Sequence, residues 1–125
     1  MPHEVRWKSE PDEHDYPAAA DYLGLIAAPD QVETLVGLLR TAPTVHRKAK
    51  DILRAAQLPL LARDNVHVAR DLDKIERHEG LSPILLVRGD LSAAARLEIA
   101  DGYHRVCASY YVDENTDIPC RLAAR

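Results

Sequence analysis

Leu97-Glu98-Ile99-Ala100-Asp101-Gly102-Tyr103-His104-Arg105-Val106-Cys107-Ala108 is the stretch on which the fold turns: a short apolar run stops at Asp101-Gly102 and a helical pattern begins at once. A strand that feeds a helix through a glycine leaves unpaired backbone N–H groups at the helix start, facing any anion that approaches. Tyr103, His104 and Arg105 fall in that first turn. Read functionally, this is a phosphate site: the backbone amides of Gly102, Tyr103 and His104 hold the anion, Arg105 adds a charge-assisted fork, and His104 donates a hydrogen bond or carries a proton. Read plainly, it is an ordinary strand-to-helix turn, with Gly102 present for its backbone freedom and Arg105 pointing to solvent. Asp101 caps the helix, or else orients His104 or a cation. His104 and Asp101 are the candidate catalytic pair, and no set of metal ligands is assigned. Tyr103 is placed either to stack on a base or sugar or to pack on a helical layer.

The flanking pattern supplies the rest of a small sheet. Arg96-Leu97-Glu98-Ile99-Ala100 alternates as a strand that delivers the chain to the key turn, and Tyr103 to Val112 is the helix that leaves it. Ile84-Leu85-Leu86-Val87, entered through Ser82-Pro83, is continuously apolar and predicts a central strand buried on both faces. Ile118 to Ala123 closes the sheet after a polar loop at residues 113–117. Upstream, Leu58-Pro59-Leu60-Leu61 predicts a short strand. A helix capped by Asp64 or Asn65 follows, with Val68, Leu72 and Ile75 as its apolar stripe and Gly80 as its left-handed stop.

The first 57 residues read as helices. Pro17 suits a first helical position before a short apolar helix that runs to Ile26. Pro29-Asp30 opens a second helix with Val32, Leu35, Val36 and Leu39 at i, i+3, i+4, i+7. A third helix carries Val45, Ala49, Ile52, Leu53 and Ala56 on one face. It also holds the densest basic cluster, His46, Arg47, Lys48, Lys50 and Arg54, which is either a solvated face or a positive wall meeting a phosphate at the Gly102 turn. The polar arm before it, residues 1–15, contains Glu13-His14-Asp15-Tyr16, residue types of an acid-base or metal site without further ligand spacing to support one. The expected organisation is one compact α+β domain: a small mixed sheet flanked by helices over residues 58–125, with an amino-terminal helical extension, residues 1–57, packed on it.

From Leu58 to Leu122 the order and spacing of these pieces resemble the ParB/sulfiredoxin superfamily. The matching parts are Leu58-Pro59-Leu60-Leu61, the helix after Asn65, Gly80 to Val87, Asp101-Gly102-Tyr103-His104-Arg105, and Ile118-Pro119-Cys120-Arg121-Leu122. Sulfiredoxins carry Gly-Cys-His-Arg at this turn and ParB proteins Gly-Glu-Arg-Arg, and in both the turn contacts nucleotide phosphates. The resemblance therefore implies a nucleotide or phosphate ligand, with ATP or CTP and Mg²⁺ as the cofactor class, and places Ser82 close to it. Tyr103 stands where sulfiredoxin has its catalytic cysteine, which argues against sulfinic-acid reduction. The DNA-reading domain that follows this unit in chromosome-partition proteins has no counterpart before Arg125.

Composition narrows the alternatives. The chain has 125 residues, 46% of them hydrophobic, with 16 Lys and Arg against 20 Asp and Glu, a balance that argues against broad electrostatic binding of nucleic acid. There is no Phe and one Trp, so the core must be aliphatic. No apolar run approaches the roughly 20 residues of a membrane span, and the start of the chain has no signal-peptide core, so a cytoplasmic protein is expected. Cys107 and Cys120 have neither metal nor redox-pair spacing and fall at core positions. Three functions stay open: a nucleotide enzyme acting by hydrolysis or phosphotransfer, a ParB-like nuclease or nucleic-acid binder, and a non-catalytic protein-interaction module.

Overall fold

A computed structural model describes residues 4–124. The elements run α1 (Asp15–Leu23), α2 (Pro29–Thr41), β1 (Thr44–Lys48), α3 (Ala49–Ala56), α4 (Val66–Glu76), β2 (Ile84–Val87), β3 (Glu98–Asp101), α5 (Tyr103–Val112) and β4 (Asp117–Ala123). The four strands form one mixed sheet in the order β1-β4-β2-β3. β4 lies antiparallel to β1 and parallel to β2, and β2 lies antiparallel to β3.

Strand β2 sets the layering. All four of its residues are buried, and alternate side chains leave opposite faces of a strand. Ile84 and Leu86 join a core with α3, α4 and α5, whereas Leu85 and Val87 join a second core with α1 and α2. The α+β class with helices on both sides of a mixed sheet is thus what the apolar run at Ile84-Leu85-Leu86-Val87 required.

Four local expectations need correcting. The third helix starts at Ala49, not Val45, because Thr44, Val45, His46, Arg47 and Lys48 pair in register with Arg121, Cys120, Pro119, Ile118 and Asp117. A long β4 offered a backbone ladder to a segment whose Thr and Val favour extended structure, and the ladder prevailed. Secondly, Leu58-Pro59-Leu60-Leu61 forms no strand and pairs with none. Its carbonyls are taken by side chains of α5, the Tyr103 hydroxyl donating to Pro59 O at 2.5 Å and the Tyr111 hydroxyl to Leu61 O at 2.7 Å. Thirdly, α4 stops through His78 in the left-handed region at φ 60, two residues before the expected Gly80. Its start is as read, with the Asn65 side chain accepting from the amides of His67 and Val68. Fourthly, the first helix spans Asp15–Leu23, so Pro17 is its third residue, and Leu25 and Ile26 lie exposed beyond its end.

The polar arm is part of the fold from residue 4 onward; residues 1–3, like Arg125, lie outside the described residues. Lys8 N–H donates to Leu81 O and Leu81 N–H to Arg6 O, each at 2.8 Å, which lays the arm along the entry to β2. No helix among the described residues is long and apolar enough to cross a membrane.

Candidate functional site

The turn uses the backbone freedom for which Gly102 was read. Gly102 has φ 116, and a Cβ there would stand 2.4 Å from Ile84 Cδ1 and 2.8 Å from an Arg105 guanidinium nitrogen. No side chain caps α5, and its first i−4 backbone bond runs from Val106 N–H to Gly102 O at 3.1 Å. The amides of Tyr103, His104 and Arg105 therefore precede the helical ladder, at the positive end of the helix dipole.

The start of α5 borders a cleft of about 260 Å³, which Gly102, His104 and Arg105 line together with residues of the arm and α4. Lys8, Arg70, Lys74 and Arg105 line it together with His14, His67 and His104, against the carboxylates of Asp12, Asp71 and Asp101. In a chain of net charge −4 this is a local reversal of sign.

Arg105 is fixed from two sides. Its guanidinium lies 2.8 Å from Asp101 Oδ2 and 3.6 Å from Asp15 Oδ2. Asp15, buried at the start of α1, also accepts a hydrogen bond from the buried Ser82 hydroxyl, whose oxygen in turn accepts the Asp12 N–H at 3.0 Å. Burial pushes the Asp101 carboxyl above the usual aspartate range, and the nearby Asp15 carboxylate adds to the rise while Arg105 opposes it. Asp71 is likewise held high by burial, against the pull of Arg105, Lys74, His104 and Arg70. Asp12 moves the other way, lowered chiefly by its hydrogen bond from Lys8.

His104 stands against His67, the ring centroids 4.7 Å apart. Burial and the neighbouring imidazole both lower the pKa of His104, so at neutral pH it is an uncharged ring, able to donate through one nitrogen and accept through the other.

The expected residues thus separate. Asp101, Gly102, His104, Arg105 and Ser82 meet at the cleft. Tyr103 does not line it; its ring packs at the border of the core and its hydroxyl is spent on Pro59. Lys48 sits on β1, at the edge of the sheet opposite β3, and neither it nor His46, Arg47, Lys50 or Arg54 lines the cleft. The positive wall comes instead from Lys8, Arg70 and Lys74. Cys107 is fully buried, as its core position in the sequence suggested, and burial pushes its thiol up.

Sequence reasoning passed over Asp71 and, although it singled out the segment holding Asp15, did not foresee that Asp15 is buried against Arg105. His67, Asp71 and Lys74 stand at i, i+4, i+7, a polar stripe beside the apolar stripe of α4, and that spacing was the available signal. Asp12, His14 and Asp15 bring three potential ligand atoms within 4.8 Å of one another. Asp12 and Asp15 are already engaged by Lys8, Ser82 and Arg105, so this trio is not a preformed cation site. The acidic oxygens that face the cleft, Asp12, Asp71 and Asp101, are nevertheless the donor type that Mg²⁺ takes.

No family model matches the chain, and neither does any curated protein or solved structure.

Proposed function

We propose that this protein binds the phosphate of a small molecule, a nucleotide by class, in the cleft at the start of α5. The observation that carries the reading is the uncapped amino end of α5 opening between Lys8, Arg70, Lys74 and Arg105. Backbone amides at a helix start and cationic side chains are together the ordinary means of holding a phosphate. The Arg105 Nε is buried over Gly102 without a hydrogen-bond partner. The likeness of Asp101-Gly102-Tyr103-His104-Arg105 to the phosphate-contacting turn of ParB and sulfiredoxin proteins points the same way and names ATP or CTP as the ligand class.

Hydrolysis or phosphotransfer is the reaction for which the cleft offers parts. Neutral His104 accepts a proton from an attacking water or hydroxyl, and Arg105, held by Asp101 and Asp15, offers fixed positive charge to the developing phosphate charge. Asp12 and Asp71 would hold Mg²⁺, which when bound neutralises phosphate oxygens.

The test is a thermal-shift titration with ATP, CTP, GTP and inorganic phosphate, with and without Mg²⁺, on the wild type and on Lys74→Gln. Lys74 is the better probe because Arg105→Ala would leave Asp15 and Asp101 without their shared cation and confuse binding with folding. A ligand at a hundredfold excess over its dissociation constant stabilises the native state by about 2.7 kcal/mol, a rise of several degrees at this size. A rise with one nucleotide that is reduced in Lys74→Gln supports the reading, and indifference to every phosphate ligand overturns it. A shift produced only by duplex DNA and abolished by salt would transfer the cleft to nucleic acid.

A further inference from the structure

A second cavity lies at the other end of β2, away from the polar cleft, and it has a different chemistry. Its volume is about 670 Å³, within the range of roughly 300–1,000 Å³ typical of small-molecule sites. Ile52, Leu86, Leu97 and Leu122 provide an apolar floor between α3 and the ends of β2 and β4. Leu97 and Leu122 are only half-buried, so apolar surface is presented to the cavity and not merely packed beneath it.

The rim is cationic. Arg47, Arg54, Arg88 and Arg96 surround this floor, with Asp51 and Asp90 as the opposing charges. Arg54 pairs with Asp51 at 3.2 Å and Arg96 with Glu98 at 3.5 Å. The Arg54–Asp51 pair is solvent-exposed, and such pairs contribute little and are readily exchanged for a ligand anion; Glu98 is largely buried and also accepts from the Tyr22 hydroxyl, so it anchors Arg96 at the rim. Four guanidiniums around an apolar floor, in a chain of net charge −4, are a local complement to one kind of ligand.

The lip of the cavity is the loop between β2 and β3. Asp90 and Ala95 exchange backbone hydrogen bonds of 2.8 and 2.9 Å, and the Asp90 carboxylate accepts from both the amide and the hydroxyl of Ser92. Leu91 is held on this pinned loop with its side chain wholly exposed. An apolar body seated in the cavity would give Leu91 the partner that the folded chain does not.

We propose that this cavity binds a small organic anion, an apolar body ending in a carboxylate or phosphate, with the chain on the leucine floor and the charged end among the rim arginines. The proposal is independent of the nucleotide reading, since it uses no residue of the polar cleft.

The experiment is displacement of the fluorescent anion 8-anilinonaphthalene-1-sulfonate by octanoate, octyl phosphate and the neutral 1-octanol. It is run on the wild type, on Arg47→Gln/Arg96→Gln and on Leu91→Ser, with circular dichroism to show that each is folded. All three substitutions are at exposed positions, so folding is expected to survive. The expected result is saturable binding that octanoate or octyl phosphate displaces at lower concentration than 1-octanol. The double Gln variant should bind the anion about tenfold more weakly, the loss expected for a charge-assisted contact, and Leu91→Ser should weaken both anion and alcohol. Whichever anion displaces better fixes the head group. Amide NMR shifts should cluster at residues 52–57, 86–97 and 122. Absence of saturable binding, equal displacement by 1-octanol, an unchanged double variant, or shifts centred on the exposed Leu25, Ile26 and Leu38 would each overturn the proposal.

Discussion

Gly102 carries two constraints in one residue, a left-handed backbone and the absence of room for a methyl group between Ile84 and Arg105. Gly102→Ala therefore combines backbone strain with overpacking and should cost about 2–4 kcal/mol, read as a fall in the urea midpoint at an unchanged slope. Asp71 illustrates the opposite relation, a residue the fold tolerates at a cost. Its carboxyl is raised by burial, so between the ordinary and the raised pKa the native state binds more protons than the unfolded chain. Stability from this group is complete below the ordinary value, about 3.9, and is lost as pH rises through the raised one. Asp71→Asn should accordingly melt higher than the wild type at pH 7, with the difference shrinking towards pH 3. If Asp71 serves a ligand, the same variant should lose nucleotide stabilisation, a trade of function for stability. An Asp71→Asn protein that melts lower at pH 7 would show that the ionised carboxylate is held by contacts that outweigh its burial.

Among the elements, the arm does more than its composition implied. Its backbone pairs with Leu81, and Ser82 ties it down by donating to Asp15 and accepting from the Asp12 amide. Asp15 then holds Arg105 at the turn, while Lys8, Asp12 and His14 of the arm line the cleft directly. Ser82→Ala removes both bonds and should cost about 1–3 kcal/mol. Hydrogen exchange at the Lys8 and Leu81 amides should quicken more than exchange in β2, and Trp7, half-buried at the edge of the core, should report the loosening by fluorescence. Equal exchange in the variant and the wild type would mean that the arm is held by Trp7 and its backbone bonds alone.

For the molecule as a whole, one sheet with a core on each face makes the interior inaccessible except through opening. Cys107 and Cys120 are fully buried in the same core, and burial pushes the Cys120 thiol up to about 12. Reaction with a disulfide reagent such as Ellman's should be negligible in the native state, and both thiols should react at rates that follow global unfolding. A nucleotide that binds the cleft should slow both equally, because the cleft is built from the arm, α4 and α5 together. Rapid labelling of Cys107 alone would mean that α5 opens independently of the sheet.

The amino-acid pattern alone was enough for the α+β class, the central strand at Ile84-Leu85-Leu86-Val87, the glycine turn and helix α5, because each depends on local rules: continuous apolar character for a strand covered on both faces, and a glycine between alternation and helical period. It was not enough for the extended course of Thr44–Lys48, which a helical stripe through Val45 and Ala49 imitates until β4 offers a partner. Nor did it place the charges around the cleft. Whether Lys48 or Lys74 faces the turn depends on which edge of the sheet each element occupies, and whether Asp15 is a surface cap or a buried ligand of Arg105 depends on the arm lying along Leu81 and Ser82. The contacts of Asp15 with Ser82 and Arg105 join residues far apart in the chain, and only the assembled sheet and its two helical layers bring them together.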